Sequence, residues 1–314
     1  MMNLIKKAFY NSAFADIYKE EIKEANRQHI RSLQKSIRLE IARQRCDALS
    51  MSSDESGVTK YEYDRELVVS LTTYGDRIHT VHQTIESIFQ QTCQANRVVL
   101  WLATEEFCNQ SLPELLKRQI KRGLEIRFVK DIRSYKKLIP ALAEFPQANI
   151  ITVDDDIIYP IDMVELLMKA HQRHPAAICA IASRKMVLNS DRTFCPYNSF
   201  LFENPAQDES SFYYIPEGFG GVLYPPHALH EEVSDEAKFM SWAPTADDLW
   251  WKAMELLNKT PVVQIHRYWD LWDWYIINET VQKGGLHNLN LGEHRNDAQL
   301  KALFDHYDLY GFLK

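Results

Sequence analysis

Three adjacent aspartates, Asp154-Asp155-Asp156, close the apolar run Ile150-Ile151-Thr152-Val153. Like charges side by side repel, and burying them unpaired costs on the order of several kcal/mol. A divalent cation removes that cost. Hard carboxylate oxygens suit Mg2+ or Mn2+, which would in turn bridge substrate phosphates. The competing reading is a solvated acidic turn, with Asp caps, ahead of a helix opened by Pro160. A second acidic pair, Asp247-Asp248, stands in Pro244-Thr245-Ala246-Asp247-Asp248-Leu249-Trp250-Trp251. Its spacing from Thr245 fits the capping box S/T-x-x-D, in which Asp248 would serve backbone donors at a helix start.

The elements that position these groups alternate. Leu67 to Thr72 reads as a buried strand, Ile78 to Gln91 as a helix and Arg97 to Leu102 as a second strand. Ser111-Leu112-Pro113-Glu114 reads as an N-cap, a first-turn proline and a capping-box acid, opening a helix to about Arg122. Leu124 to Val129 is a third strand, Lys136 to Phe145 a short helix, and Asn149 to Val153 a fourth strand. Such alternation predicts a mainly parallel sheet with crossover helices. Ligands then sit outside the carboxyl ends of the strands, at Thr72-Thr73-Tyr74, Lys130-Asp131 and Asp154-Asp155-Asp156. After about residue 185 the alternation weakens, leaving loops, a helix from about Asp247 to Leu257, and an aromatic stretch from Trp242 to Trp274.

Glycine is scarce, with ten in 314 residues, and clustered at Gly218, Gly220, Gly221 and at Gly284, Gly285, Gly292. No G-x-G-x-x-G or P-loop follows an early strand, so a backbone-amide phosphate cradle is excluded and metal with carboxylate is the substitute. The formal net charge is −7; residues 1–50 carry 10 Lys/Arg against 6 Asp/Glu, and the rest 26 against 37. An acidic body excludes a dedicated nucleic-acid binder. Five cysteines, without C-x-x-C spacing, fit a reduced compartment rather than a zinc site or disulfide framework. With neither a signal-peptide run nor 18 consecutive apolar residues, the expected location is cytoplasmic. Ile30, Leu33, Ile37 and Ile41 place a long helix over 15–50, and Ser50 to Gly57 reads as a linker.

A βαβαβ run ending in hydrophobic-D-x-D resembles a GT-A-fold glycosyltransferase. Val69-Ser70-Leu71-Thr72-Thr73-Tyr74, with Ile151-Thr152-Val153-Asp154-Asp155-Asp156 downstream, is similar to bacterial glycosyltransferases of the family-2-like group, within the nucleotide-diphospho-sugar transferases. The likeness covers roughly residues 65–260. It implies an α/β fold with a twisted, mainly parallel, Rossmann-like sheet and flanking helices, plus an N-terminal helical extension. The expected division is extension and linker 1–60, nucleotide-sugar half 61–185, and acceptor and base half 186–314 with a C-terminal helix. The implied reaction is metal-dependent transfer, inverting, from a nucleotide-diphosphate sugar (UDP favoured) to a glycan or glycolipid hydroxyl of a cell-surface polysaccharide or lipopolysaccharide.

Residue by residue, the resemblance implies that Thr72, Thr73 and Tyr74 line the base and ribose pocket. Asp154 contacts ribose or sugar and is also a metal candidate, Asp156 ligates Mn2+ or Mg2+, and Asp155 does either. Lys136 and Lys137 reach the diphosphate, with Arg77 and Arg184 as weaker candidates. Asp248 is the general base, with Asp247 in reserve, because an acceptor hydroxyl is a poor nucleophile at neutral pH. Gly220 and Gly221 bring backbone close to a sugar, and Trp242 and Trp269 offer stacking faces, core packing being the reading for most of the six late tryptophans. His287 heads His266 and His294 as a late metal ligand.

Two other classes remain open from sequence. A sugar nucleotidyltransferase would want a glycine-rich loop after the first strand, where Gly75 stands alone. A catalytically silent sugar-binding scaffold would use helix 15–50 to pair with a copy of itself or to lie on the inner face of the membrane.

Overall fold

The computed structural model describes residues 2–313 except 109, 269–270, 272–274 and 278–294, with side chains from residue 21 onward. The chain opens with helix α1 (Met2–Ser52) and then alternates through β1 (Leu67–Thr72), α2 (Val81–Phe89), β2 (Arg97–Ala103), the short α3 (Thr104–Phe107), α4 (Glu114–Lys121), β3 (Leu124–Val129), α5 (Ile139–Glu144) and β4 (Asn149–Thr152). There follow β5 (Ile157–Ile158), α6 (Met163–Arg173), β6 (Ile178–Ala180), β7 (Ser183–Lys185), β8 (Leu201–Phe202), β9 (Glu209–Ser211), β10 (Tyr214–Pro216) and β11 (Val222–Tyr224). Helices α7 (Glu236–Trp242) and α8 (Asp247–Leu257), strands β12 (Val262–Gln264) and β13 (Ile276–Ile277), and helix α9 (Arg295–Tyr307) come last.

The fold is α/β. Its central sheet has the order β3-β2-β1-β4-β11-β6-β12-β9. Strands β3, β2, β1 and β4 are parallel, as are β6 and β12. Strand β11 enters antiparallel between β4 and β6, and β9 closes antiparallel on β12. The second half of the chain therefore completes the sheet that the first half begins. Side-chain alternation assigns the layers. Leu67, Val69 and Leu71 of β1 pack with Ile85, Ile88, Leu116 and Leu167 on one face. Val68 faces the other layer, with Trp101, Trp250, Trp251 and Phe304. Burying each large side chain there stabilises the fold by roughly 1.5–3 kcal/mol, so Trp250 and Trp251, both fully buried, belong to the core.

Several local expectations are corrected. Helix α1 runs well beyond 15–50 in the N-terminal direction, and the stretch read as a linker continues it to Ser52 before packing on α4, where the Gly57 N–H donates to the Arg122 carbonyl at 2.8 Å. Helix α4 begins at Glu114 with Pro113 at the cap position and no side-chain cap from Ser111. The segment 136–145 splits because Pro140, lacking an N–H, suits the first turn of a new helix. Arg133–Lys137 forms a 3-10 turn and α5 starts at Ile139. Pro160 likewise lies ahead of α6, which begins at Met163. The second glycine cluster, Trp269, Trp272, Trp274, His287 and His294 lie outside the described residues.

Gly220 shows how tightly the β10–β11 link is set. A Cβ there would stand 2.6 Å from the Ala182 Cβ and 2.9 Å from its backbone nitrogen. Backbone cannot swing away as a side-chain tip can, so Gly220→Ala is expected to destabilise by about 1–3 kcal/mol. A lowered urea midpoint at unchanged slope would show it; an unchanged midpoint would mean that the β6–β7 link at Ala182 yields.

Candidate active site

The carboxyl edge of the parallel strands gathers acidic groups from distant parts of the chain around two cations. Asp154, Asp155 and Asp156 follow β4. The Thr73 hydroxyl after β1 donates to Asp155 Oδ2 at 2.6 Å, and Arg77 Nη1 donates to Asp155 Oδ1 at 2.7 Å. The same Arg77 nitrogen lies 3.2 Å from Asp156 Oδ2. Its guanidinium stands over the Tyr74 ring, 4.8 Å from the centroid, and Tyr74 is exposed. Lys137 Nζ lies 3.0 Å from Asp154 Oδ1 and 3.0 Å from Asp247 Oδ2 at the start of α8. The Gly218 N–H donates to Asp248 Oδ2 at 3.2 Å.

Protein cations thus meet the repulsion that the sequence assigned to a bound metal. Arg77 answers Asp155 and Asp156, and Lys137 answers Asp154. The lysine is held from both sides. Its carbonyl accepts the Ser70 hydroxyl at 2.6 Å, and that hydroxyl accepts the Trp101 indole N–H at 2.8 Å. In the same turn, Tyr135 donates to the Ala243 carbonyl at 2.6 Å and Arg133 to the Pro244 carbonyl at 2.8 Å, fixing it against the α7–α8 junction. Gly218 allows the close approach: a Cβ there would stand 2.5 Å from Lys137 Nζ, 3.2 Å from Asp248 Oδ1 and 3.5 Å from Asp154 Oδ1.

Asp248 does not cap α8. Ala246 holds the cap position without a side-chain bond, while the Thr245 hydroxyl is tied to Gln299 of α9 at 3.1 Å. Burial pushes the Asp248 carboxyl well above the ordinary carboxylate range; Lys137 opposes this, while Asp247, Glu217 and Asp154 reinforce it. Burial alone would favour a neutral Lys137, but Asp154, Asp247 and Asp248 hold its ammonium well above the usual lysine range. Burial also raises Asp155, against the pull of Arg77 and Thr73.

Glu217 is the acidic neighbour that sequence reasoning passed over. It accepts from Arg184 Nε at 2.8 Å and from the Tyr197 hydroxyl at 2.9 Å. Burial raises its carboxyl, with Arg184 and Tyr197 opposing and the Asp154 charge adding to the rise. Its sequence signal was an acid just ahead of the first glycine cluster.

Other candidates stand elsewhere. Thr72 donates to the Trp101 carbonyl at 2.8 Å, between the strands. Lys136 is paired with Asp131. Gly220 packs on Ala182, and a Cβ on Gly221 would stand 2.8 Å from the Met163 sulfur. Trp242 stacks on His306, with centroids 4.3 Å apart. The His266 ring lies 2.7 Å from the Pro205 carbonyl. Among the described residues no three His, Cys, Asp or Glu side chains converge as a metal-binding group.

No family model matches the chain, and no curated protein sequence does. Among solved structures, the mannosyltransferase PcManGT from Pyrobaculum calidifontis, in complex with GDP-Man and Mn2+, is 14% identical over 49% of this chain and 45% of that one, with a TM-score of 0.32. S. aureus TarS 1-349 is 14% identical over 67% of this chain and 59% of that one, with a TM-score of 0.44. Its complex with UDP-GlcNAc is 13% identical over 67% and 57%, at 0.42. The chain therefore spans about half the length of these structures.

Proposed function

We propose that this chain is a GT-A-type glycosyltransferase that moves a sugar from a nucleotide-diphosphate donor, UDP-linked by preference, to a hydroxyl of a glycan or glycolipid. The observation that carries this reading is the meeting of Asp154, from the end of β4, with Asp247, from the start of α8, across one buried lysine. A donor-side carboxylate and an acceptor-side acidic pair are what an inverting transfer needs in one place. Residues 61–185 would hold the donor and 186–314 the acceptor and base, with 1–60 as an extension. The acceptor would belong to a polysaccharide or lipopolysaccharide assembled in the cytoplasm.

Tyr74 offers an exposed ring to the nucleotide base, next to Arg77. Asp154 and Asp156 fit a cation that arrives with the diphosphate, because Mg2+ usually takes one or two carboxylates and completes its shell from phosphates and water. The Asp154 side chain is one-third exposed, so it is open to such a partner. When bound, Mn2+ or Mg2+ would neutralise charge on the departing diphosphate. Asp247 is committed to Lys137, which leaves the half-buried Asp248 as base. Its carboxylate takes the acceptor hydroxyl proton as the oxygen bonds to the anomeric carbon. The carbon–oxygen bond to the nucleotide diphosphate breaks on the opposite face, giving inversion.

A screen of nucleotide sugars for donor hydrolysis, with and without Mn2+, tests this. At least one donor should turn over in a metal-dependent way, and Asp156→Ala should abolish that turnover. Full activity in Asp156→Ala, or no turnover of any donor, would overturn the reading.

A further inference from the structure

Helix α1 carries a feature that the reaction does not use. Residues 21–38 are exposed on every side, and the helix meets the body only farther on, where Cys46 and Ser50 are buried. Yet Ile30, Leu33, Ile37 and Ile41 form a continuous apolar stripe and are 50–63% exposed. At 3.6 residues per turn the stripe lies on the side of the helix opposite Cys46 and Ser50, so docking leaves it facing away from the body.

Beside the stripe runs a basic one. Arg27, Arg31, Arg38 and Arg45 recur at spacings of four, seven and seven, and Arg27 and Arg38 each stand three residues before a stripe isoleucine, Ile30 and Ile41. Arg27 has an exposed contact with Glu24 at 3.4 Å, a type of pair worth little. The charges decide what fits. An antiparallel second copy would bring Arg31 and its neighbours against the same arginines. A parallel copy would offer the opposite flank, His29, Ser36, Glu40 and Arg43, with one carboxylate for four arginines; that carboxylate already accepts from Gln44 at 2.7 Å. A surface that is apolar below and anionic at its rim matches both stripes together. No described helix is long and apolar enough to cross a membrane, so the contact would be interfacial.

We propose that residues 22–45 of α1 form a docking face for an anionic lipid bilayer, with the isoleucine and leucine stripe in the acyl boundary and the arginine stripe on the headgroups. The proposal is independent of the reaction assigned to the carboxylate site. The full chain should co-sediment with phosphatidylglycerol-containing vesicles, lose that binding as salt rises, and ignore vesicles of phosphatidylcholine alone. Combined Arg27→Gln, Arg31→Gln and Arg38→Gln should weaken binding roughly a hundredfold. Ile30→Gln with Ile37→Gln should also release the protein, with helical circular dichroism unchanged because both side chains are more than half exposed and lie on the face turned away from the body. Equal binding to neutral vesicles, or none to anionic ones, overturns the proposal. So does a lipid-free dimer that the isoleucine changes dissolve. Nucleoside diphosphate binding, followed in the same samples, separates failure here from failure of the glycosyltransferase reading.

Discussion

Asp248→Asn is expected to lower sugar transfer by roughly a hundred- to ten-thousandfold while leaving nucleoside diphosphate affinity unchanged. Asparagine keeps the size of the side chain and an oxygen that can still accept the Gly218 N–H, so the site should stay assembled. What it loses is the ability to take a proton. The wild-type pH profile should carry the same signature. Burial first, then Asp247 and Glu217, hold the Asp248 carboxyl above the ordinary range. A base with a raised pKa is protonated at mildly acidic pH, so kcat/KM should fall as pH drops through a limb lying above the usual carboxylate region. Asp247→Asn removes a charge that raises Asp248 and should move that limb to lower pH. If Asp247→Asn instead abolished transfer and Asp248→Asn did not, the two roles would be exchanged.

Arg122→Ala is expected to cost about 3–5 kcal/mol of folding stability. Arg122 meets Glu86 in a two-pronged pair, Nη1 to Oε2 at 2.7 Å and Nη2 to Oε1 at 3.0 Å, and Glu86 is fully buried. The Ser50 hydroxyl and the Gln119 amide also donate to Glu86, at 3.2 and 3.3 Å, while Arg122 Nε donates to the Glu55 carbonyl at 2.8 Å. One carboxylate therefore joins the end of α1, the middle of α2 and the end of α4. Truncating the arginine strands a charge in a dry place, which is far worse than never having had the pair. Such a loss is a large part of the roughly 5–15 kcal/mol that stabilises a typical domain. Denaturant titration should show a large fall in midpoint for Arg122→Ala and recovery of most of it in Glu86→Leu with Arg122→Met. A single-variant loss below about 1 kcal/mol would show that water reaches the site.

The first half of the fold was legible strand by strand. Strands β1 and β3 lie where their patterns place them, at Leu67–Thr72 and Leu124–Val129: β1 is an apolar run rich in β-branched residues, and β3 alternates apolar Leu124, Ile126 and Phe128 with charged Glu125 and Arg127. Helix α8 spans Asp247–Leu257, as its pattern predicts. Caps were less legible. Thr245 and Ser111 both satisfy the capping spacing, yet neither caps: Thr245 is taken by Gln299 from α9, and Pro113 already sets the entry to α4. A short-range pattern cannot register a long-range competitor for the same hydroxyl.

The sequence alone determined the α/β class, the strand after which the three aspartates fall, and so the edge of the sheet where a ligand would meet them. These depend on local periodicity and on the handedness of parallel crossovers. It could not determine which charge answers which. Lys137 stands between Asp154 and Asp247, and the Glu217 charge acts on Asp248, because β11 pairs antiparallel with β4 and brings the β10–β11 link and α8 over the edge that β1 and β4 form. Interactions between buried charges are set by distance and by exclusion of water, and both exist only once the distant segments have packed.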